Sequence, residues 1–373
     1  MKRLIKSAET VPDKRRPLEN IQHKLSEILV IAFCAIICGA QTYHDIEIFG
    51  NAKMVWLSNY LTLLNGIPNA DTFERIFETL DAVVVASKMR WLLQSDEFAG
   101  KIIAFDGKTM RGSSCEDKSS MHVISAFLTD AQIVLGEIMC DEESNEITAI
   151  PELLETINVE KAIVTIDAMG MQTKIAEQIV AQKADCCLSL KADYCLSLKG
   201  NQPGMYDDVR LYFETETASN STVAYEKGDG RTERREYVLE TEIDWLYGCE
   251  RWAGLHAIGA VKSTVTVKGK TTVETCCYLT SLTSIDDFSR AVRAHWGIEN
   301  CLHWHLDVSF GEDHSGIRNK NAAAMWNVMR KLALEYLKKQ AVKGTSLVSL
   351  RKLAGWDSSF LERVIFTEQL AIE

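Results

Sequence analysis

The sequence predicts an α/β protein: a mixed β-sheet flanked by helices and interrupted by a β-rich insertion, with a helical N-terminal domain ahead of it. Three observations predict this class. Residues 22–100 keep a helical period, and from Lys101 short β-rich runs alternate with helical ones. Residues 223–281 then alternate polar and apolar positions with many Thr, Val and Tyr, before the helical period returns after Ile285.

The elements follow in order. HKLSEILVIAFCAIICGA begins a buried helix, GIPNADTFERIFETLD predicts a helix starting at Asp71 or Thr72, and VVVASKMRWLLQ predicts another. IIAFDG, HVISAFL and IVLGEIMC read as three consecutive strands. ITAIPELLETIN reads as a helix, KAIVTIDAMG as a buried strand, QTKIAEQIVAQKA as a second helix and YCLSLKGNQ as a further strand. The order β-β-β-α-β-α-β suits a mixed sheet with helices on its faces. REYVLETEI and KSTVTVKGKTTVETCCYLTS belong to the insertion, and NAAAMWNVMRKLALEYLKKQ carries an amphipathic stripe ending in Lys. The expected domains are 1–100, helical, and 101–373, with the insertion at about 223–281 and C-terminal helices over 285–373. KADCCLSL at 183–190 is repeated at once as KADYCLSL at 191–198. This tandem duplication adds a strand or loop at the surface, or sets two copies in competition for one strand position.

Composition narrows the function classes. With 46% hydrophobic and 25% charged residues and 5 prolines in 373, the chain is neither disordered nor fibrous. The most apolar run, 28–40, is shorter than the roughly 20 residues that cross a bilayer, and the first twenty residues lack a secretory signal. No membrane role is expected. The 11 cysteines form no CxxC pair, and their odd number suits free thiols in a reducing cytoplasm. A net charge of -11 argues against nucleic-acid binding by bulk charge, so any DNA contact must come from local basic patches and from metal ions that offset clustered acids.

Two acids stand at strand ends. Asp106 closes IIAFDGK and Asp167 closes AIVTIDAMG, and if strands one and four are neighbours the two carboxylates meet within metal-bridging reach. Magnesium takes a few carboxylates together with water and phosphate oxygens. A third acid is expected on a helix packed against the sheet: Glu299 in HWGIENCLHWHLDV, one turn after His295, with Asp307 as the alternative. Three acids holding two divalent ions can activate a nucleophile and stabilise a leaving oxygen at a phosphodiester. Neither GxxxxGK[ST] nor HExxH occurs, so ATP hydrolysis and zinc proteolysis have no support. Cys301, His303 and His305 do not share one helical face and lack a second cysteine pair, so zinc binding is not expected, and His303, Trp304 and His305 are expected to pack or to face DNA near the active site. Basic residues group as Lys14, Arg15 and Arg16, as Lys108 and Arg111 beside Asp106, and as Arg231, Arg234 and Arg235 in GRTERRE. These are candidate phosphate contacts, as are Lys199 and Asn201 in SLKGNQ, which serve equally well as turn formers.

As an ordered set, the segments HKLSEILVIAFCAIICGA, GIPNADTFERIF, IIAFDGKTMRGS, HVISAF, SNEITAIPELL, IDAMG, KGNQ, GRTERRE and HWGIENCLHWHLDV resemble the DDE superfamily of transposases, and within it the H-repeat-associated insertion-sequence proteins. The resemblance spans nearly the whole chain. It implies a ribonuclease H-like core interrupted by a β insertion, with Asp106, Asp167 and Glu299 as the catalytic acids. It also implies Mg2+, with Mn2+ as the second candidate, and DNA partners in the form of terminal inverted repeats and target DNA. A homodimer in the DNA complex and a cytoplasmic, nucleoid-associated location are expected with it. Related transposases carry Arg four residues before the third acid and Lys seven after it, where this sequence has His295 and Leu306. Their HGRxExR motif reads DGRTERR here, with Asp229 in place of His. Two alternatives stay open: a catalytically inactive DNA-binding relic, and a general magnesium-dependent nuclease.

Overall fold

Short polar side chains decide where several N-terminal helices begin. The computed structural model describes residues 2–15, 21–90, 98–114, 120–140, 146–181, 192–228, 230–341 and 343–366. Helix α1 covers Lys2–Glu9, α2 Leu25–Ile37, α3 Tyr43–Ala52, α4 Met54–Leu57, α5 Ala70–Thr79 and α6 Ala82–Met89. Thr42 and Asp45 form a reciprocal capping box on α3. Asn69 accepts the Thr72 N–H and so starts α5 at Ala70, slightly earlier than the pattern suggested, while Asp81 caps α6. Helix α2 has no side-chain cap; burial of every residue but Ser26 sustains it instead.

Compactness divides the chain into two units, Met1–Leu93 with Thr109–His122 and Asn300–Glu373, and Gln94–Lys108 with Val123–Glu299. In the first unit the N-terminal helices cluster with α11 (Lys320–Lys338), α12 (Leu347–Trp356) and α13 (Ser358–Phe366). Helix α11 is no amphipathic stripe: from Ala322 to Leu337 every residue is buried, because α2, α5, α6, α12 and α13 all pack on it. Two of its buried polar residues, Asn327 and Arg330, both reach Glu312.

The remaining elements are β1 (Ile102–Met110), β2 (Met121–Leu128), β3 (Ile133–Cys140), α7 (Glu146–Thr156), β4 (Ile163–Ile166), α8 (Thr173–Ala181), β5 (Asp193–Leu198), α9 (Pro203–Thr215), β6 (Asn220–Gly228), β7 (Arg231–Glu240), β8 (Ala257–Val267), β9 (Lys270–Thr280) and α10 (Ile285–Ile298). Among the described residues the strands form one sheet in the order β3-β2-β1-β4-β5-β9-β8-β7-β6. β4 pairs in parallel with both β1 and β5, and its four residues, IVTI, are all buried, as a central parallel strand requires. β5 is the second copy of the duplicated segment; the first copy, 183–190, lies outside the described residues, as does Asp229. The β insertion is not a separate layer. Its last strand, β9, pairs antiparallel with β5 from Cys195↔Thr280 to Leu198↔Cys277, so β6–β9 extend the central sheet.

Helix α10 lies across this sheet. Phe288, Ala291 and Val292 on its buried face pack with Ile102, Ile163 and Cys195 of β1, β4 and β5 and with Tyr237 of β7. The approach is close enough that a Cβ at Gly259 of β8 would collide with the Phe288 ring. A glycine in the middle of a strand marks such a backbone approach. After Ile298 the backbone changes to π-helical geometry over Glu299–His303 and His305–Ser309, so the single helical period read from the sequence contains two wider turns.

Candidate active site

β1 and β4 run side by side with Phe105 opposite Ile166, so the next residue on each, Asp106 and Asp167, leaves the pair at the same end. Asp106 does not close its strand, however, because β1 continues to Met110. Asp167 does follow the last residue of β4 and caps the short 3-10 turn Ala168–Gly170, its carboxylate accepting the Ala168 N–H at 2.6 Å. That turn sits tightly on α7: a Cβ at Gly170 would run into Ile166 and Ile150, which accounts for the glycine of IDAMG. Glu299 stands at the C-terminal end of α10. Carboxylate oxygens of Asp106 and Glu299 lie within 4.8 Å of one another. A cavity of about 340 Å³ in the second unit is lined by all three acids together with Lys199, His295 and Trp296.

The three acids are not equivalent. Asp106 and Glu299 approach each other closely enough to share one cation, whereas the Asp167 carboxylate is turned to the Ala168 N–H and to Lys199, whose Nζ is 3.3 Å away. Partial burial would raise the Asp167 carboxyl; the Ala168 N–H and the Lys199 ammonium outweigh it and hold the group below the usual aspartate value. Asn201 completes this corner by donating to the Ala168 carbonyl at 2.6 Å. Lys199 and Asn201, expected as phosphate contacts or turn formers, thus stand beside Asp167 and brace the turn that carries it. His295 faces the same cavity and shares a 2.9 Å hydrogen bond between its Nδ1 and Thr165 Oγ1.

The other basic positions lie elsewhere. Lys108 is buried, and Arg111 is exposed with its guanidinium 4.0 Å from Asp313. Arg231 and Arg235 are engaged within the sheet: both reach Glu233 at 2.7 Å, and Arg235 also reaches Glu226 at 2.9 Å. Asp307, the alternative third acid, lies in the second π-helical turn. In the Cys301, His303 and His305 group, His305 Nδ1 bonds Ser309 Oγ at 3.0 Å, and burial lowers its imidazole to about 4. Sequence reasoning missed Thr165, Glu274 and Cys276, which also line the cavity. Thr165 had a signal, as the lone polar residue of the buried strand IVTI, while Glu274 and Cys276 sit in an ordinary strand alternation.

Acids at the same end of two neighbouring parallel strands, with a third at the end of the helix lying across them, make an arrangement that could hold the divalent ions phosphodiester chemistry uses. Residues 5–92 match the family model described as DDE_Tnp_1-associated, and residues 97–335 match the one described as Transposase DDE domain. YncI of Escherichia coli O157:H7, which carries a transposase name, is 35% identical over 97% of this chain and 94% of its own length. YhhI of Escherichia coli K12, named as H repeat-associated, is 34% identical over 98% of both chains. The solved piggyBac transposase synaptic complex with hairpin DNA covers 99% of this chain and 80% of that one at 10% identity and a TM-score of 0.46. The chain belongs to the DDE transposase family. Its function is that of a transposase, the cleavage and strand transfer of an insertion sequence. Domains of this family use divalent metal ions and act on DNA. Among the described residues no helix is long and apolar enough to cross a membrane.

Proposed function

We propose that Asp106, Asp167 and Glu299 are the catalytic acids and that they hold Mg2+, with Mn2+ as a substitute. One observation carries the reading: Asp106 and Glu299 present oxygens within 4.8 Å of one another in a cavity that Asp167 also lines. Hard carboxylate oxygens at that separation fit a small divalent cation that keeps part of its water. Bound there, the ions would stabilise charge on the attacking and leaving oxygens. Asp106 and Glu299 would hold such an ion between them, and Asp167, kept ionised by Lys199 and the Ala168 N–H, would add its carboxylate to the site. His295 takes the place of the related enzymes' arginine as a DNA-facing group.

The chemistry proceeds in two displacements. Water attacks a phosphodiester at the element end, the bond to the 3'-oxygen breaks, and a 3'-hydroxyl and a 5'-phosphate remain. That 3'-hydroxyl then attacks a phosphorus in target DNA, joining the two and releasing a target 3'-hydroxyl. The protein contributes positioning and charge compensation, with no covalent intermediate on the chain. The N-terminal helices are assigned to recognition of the terminal inverted repeats, and the DNA complex is read as a homodimer acting in the bacterial cytoplasm at the nucleoid. Asp106→Ala is expected to slow cleavage of labelled terminal-repeat DNA by roughly a thousandfold or more, the rate equivalent of several kcal/mol of charge stabilisation. Its DNA affinity is expected to stay. Cleavage at the parental rate by this variant refutes the assignment.

A further inference from the structure

Strand β4 contains one polar side chain, Thr165, between Val164 and Ile166 in the middle of the sheet, and it is 2% exposed. A hydroxyl buried this deeply needs a partner. Its partner is His295 Nδ1 on α10, at 2.9 Å and 130 residues away along the chain. The two ends of this hydrogen bond have a common neighbourhood. Thr165 lies two residues before Asp167, and His295 lies one helical turn before Glu299. All four residues line the same cavity.

Three other grips on α10 lie farther from Glu299. Arg290 donates to the Gly100 carbonyl at 2.7 Å, Arg293 reaches Glu226 of β6 at 2.8 Å, and Phe288 seats on Gly259. They grip the first three turns, whereas the Thr165 bond lies in the last turn before Glu299, where the backbone begins to widen into π geometry.

We infer that Thr165 is a positioning residue for transposition: through His295 it locks the end of α10 to β4 and thereby sets the spacing between the carboxylates of Glu299, Asp106 and Asp167. The inference rests on the assignment of those three acids. Its consequence is selective, because loss of the hydroxyl loosens the acid constellation without removing an acid, a DNA contact or any volume from the core.

The test compares Thr165→Val, which keeps shape and loses the hydroxyl, with Thr165→Ser, which keeps the hydroxyl, beside Asp106→Ala. Single-turnover cleavage of labelled terminal-repeat DNA, Mn2+ affinity by calorimetry, DNA affinity and thermal melting are measured on the full chain. Thr165→Val is expected to cleave about tenfold or more slowly, since small displacements at a reacting centre are costly in rate, and to bind Mn2+ at least about threefold more weakly. Its DNA affinity should stay within about twofold, and Thr165→Ser should stay close to the parent. In a His295→Ala background Thr165→Val should add no further loss, because the two residues act as a unit. Parental cleavage and Mn2+ affinity in Thr165→Val overturn the inference, as does full additivity with His295→Ala. Rapid cleavage by Asp106→Ala would instead bring down the acid assignment, while the Mn2+ titrations would still report on the Thr165 bond. If Thr165→Val melts well below the parent, the Thr165→Ser comparison decides: loss of cleavage in that stable, hydroxyl-bearing variant counts against the inference, and retention supports it.

Discussion

Two regions of the same sheet handle clustered charge in opposite ways. On β6 and β7 two glutamates are set between arginines: Glu233 lies 2.7 Å from both Arg231 and Arg235 and accepts from Ser263 at 2.8 Å, and Glu226 bridges Arg235 and Arg293. In the cavity, Asp106, Asp167, Glu274 and Glu299 converge with only Lys199 and His295 as nearby basic groups among the lining residues, and two of the carboxylates face each other within 4.8 Å. The first region is neutralised by the protein itself and gains a shape. The second gathers more acids than bases along its lining, an arrangement that suits the divalent ions this family uses.

The contrast can be broken from either side. The largest effect is expected from Glu299→Gln, which keeps the shape of the side chain and removes its charge. Cleavage should fall by roughly a thousandfold, while metal-free stability holds or rises by about 1 kcal/mol or less through relief of repulsion with Asp106. Quench-flow rates and urea melts on one preparation measure both; a variant that lost stability as well as activity would mean that Glu299 supports the fold. Glu233→Ala should do the reverse, costing about 2 kcal/mol in a urea melt by removing the carboxylate that joins Arg231, Arg235 and Ser263. DNA cleavage at saturating protein should stay within a fewfold, and its collapse would show that the arginine strand serves the chemistry directly.

The smallest effect concerns acid. The Arg293 and Arg235 guanidiniums hold Glu226 below the usual glutamate range; at Glu233 burial works in the opposite sense, but Ser263, Arg235 and Arg231 outweigh it. Carboxyls depressed in the folded state stabilise it fully above their unfolded value, and the contribution fades as pH falls through the depressed folded values. The urea midpoint should therefore drop below about pH 4.5, and a Glu226→Gln, Glu233→Gln double variant should lose part of that slope. An unchanged slope would place the acid sensitivity elsewhere.

Much of this was legible in the residues. The β-β-β-α-β-α-β order follows from runs such as AIVTID, whose continuous apolar character is what a parallel strand covered on both faces demands. Strand adjacency puts Asp106 and Asp167 at the same end of β1 and β4, but it does not foretell that the Asp167 carboxylate turns to the Ala168 N–H and Lys199. Other features depend on contacts that a linear pattern does not encode. Nothing local says that β9 will pair with β5, because hydrogen bonding between distant strands leaves no periodicity of its own. The burial of α11 was hidden because Asn327, Arg330, Lys331 and Glu335 look solvent-facing until the elements that enclose them are known. The basic cluster GRTERRE likewise suggests a phosphate surface, and only the cross-strand register reveals Glu226 opposite Glu233 and Arg235 opposite Ser263.

The brace between Asn201 and the Ala168 carbonyl has a consequence for the tandem duplication. The two copies differ only at Cys186 and Tyr194, so either supplies nearly the same strand. Threading the earlier copy into the sheet would put Lys191 where Lys199 stands, but Ala192 and Asp193 would fall where Gly200 and Asn201 are needed. Downstream context, not the strand itself, therefore elects which repeat is used, and an amide three residues past the end of β5 acts as its proofreader.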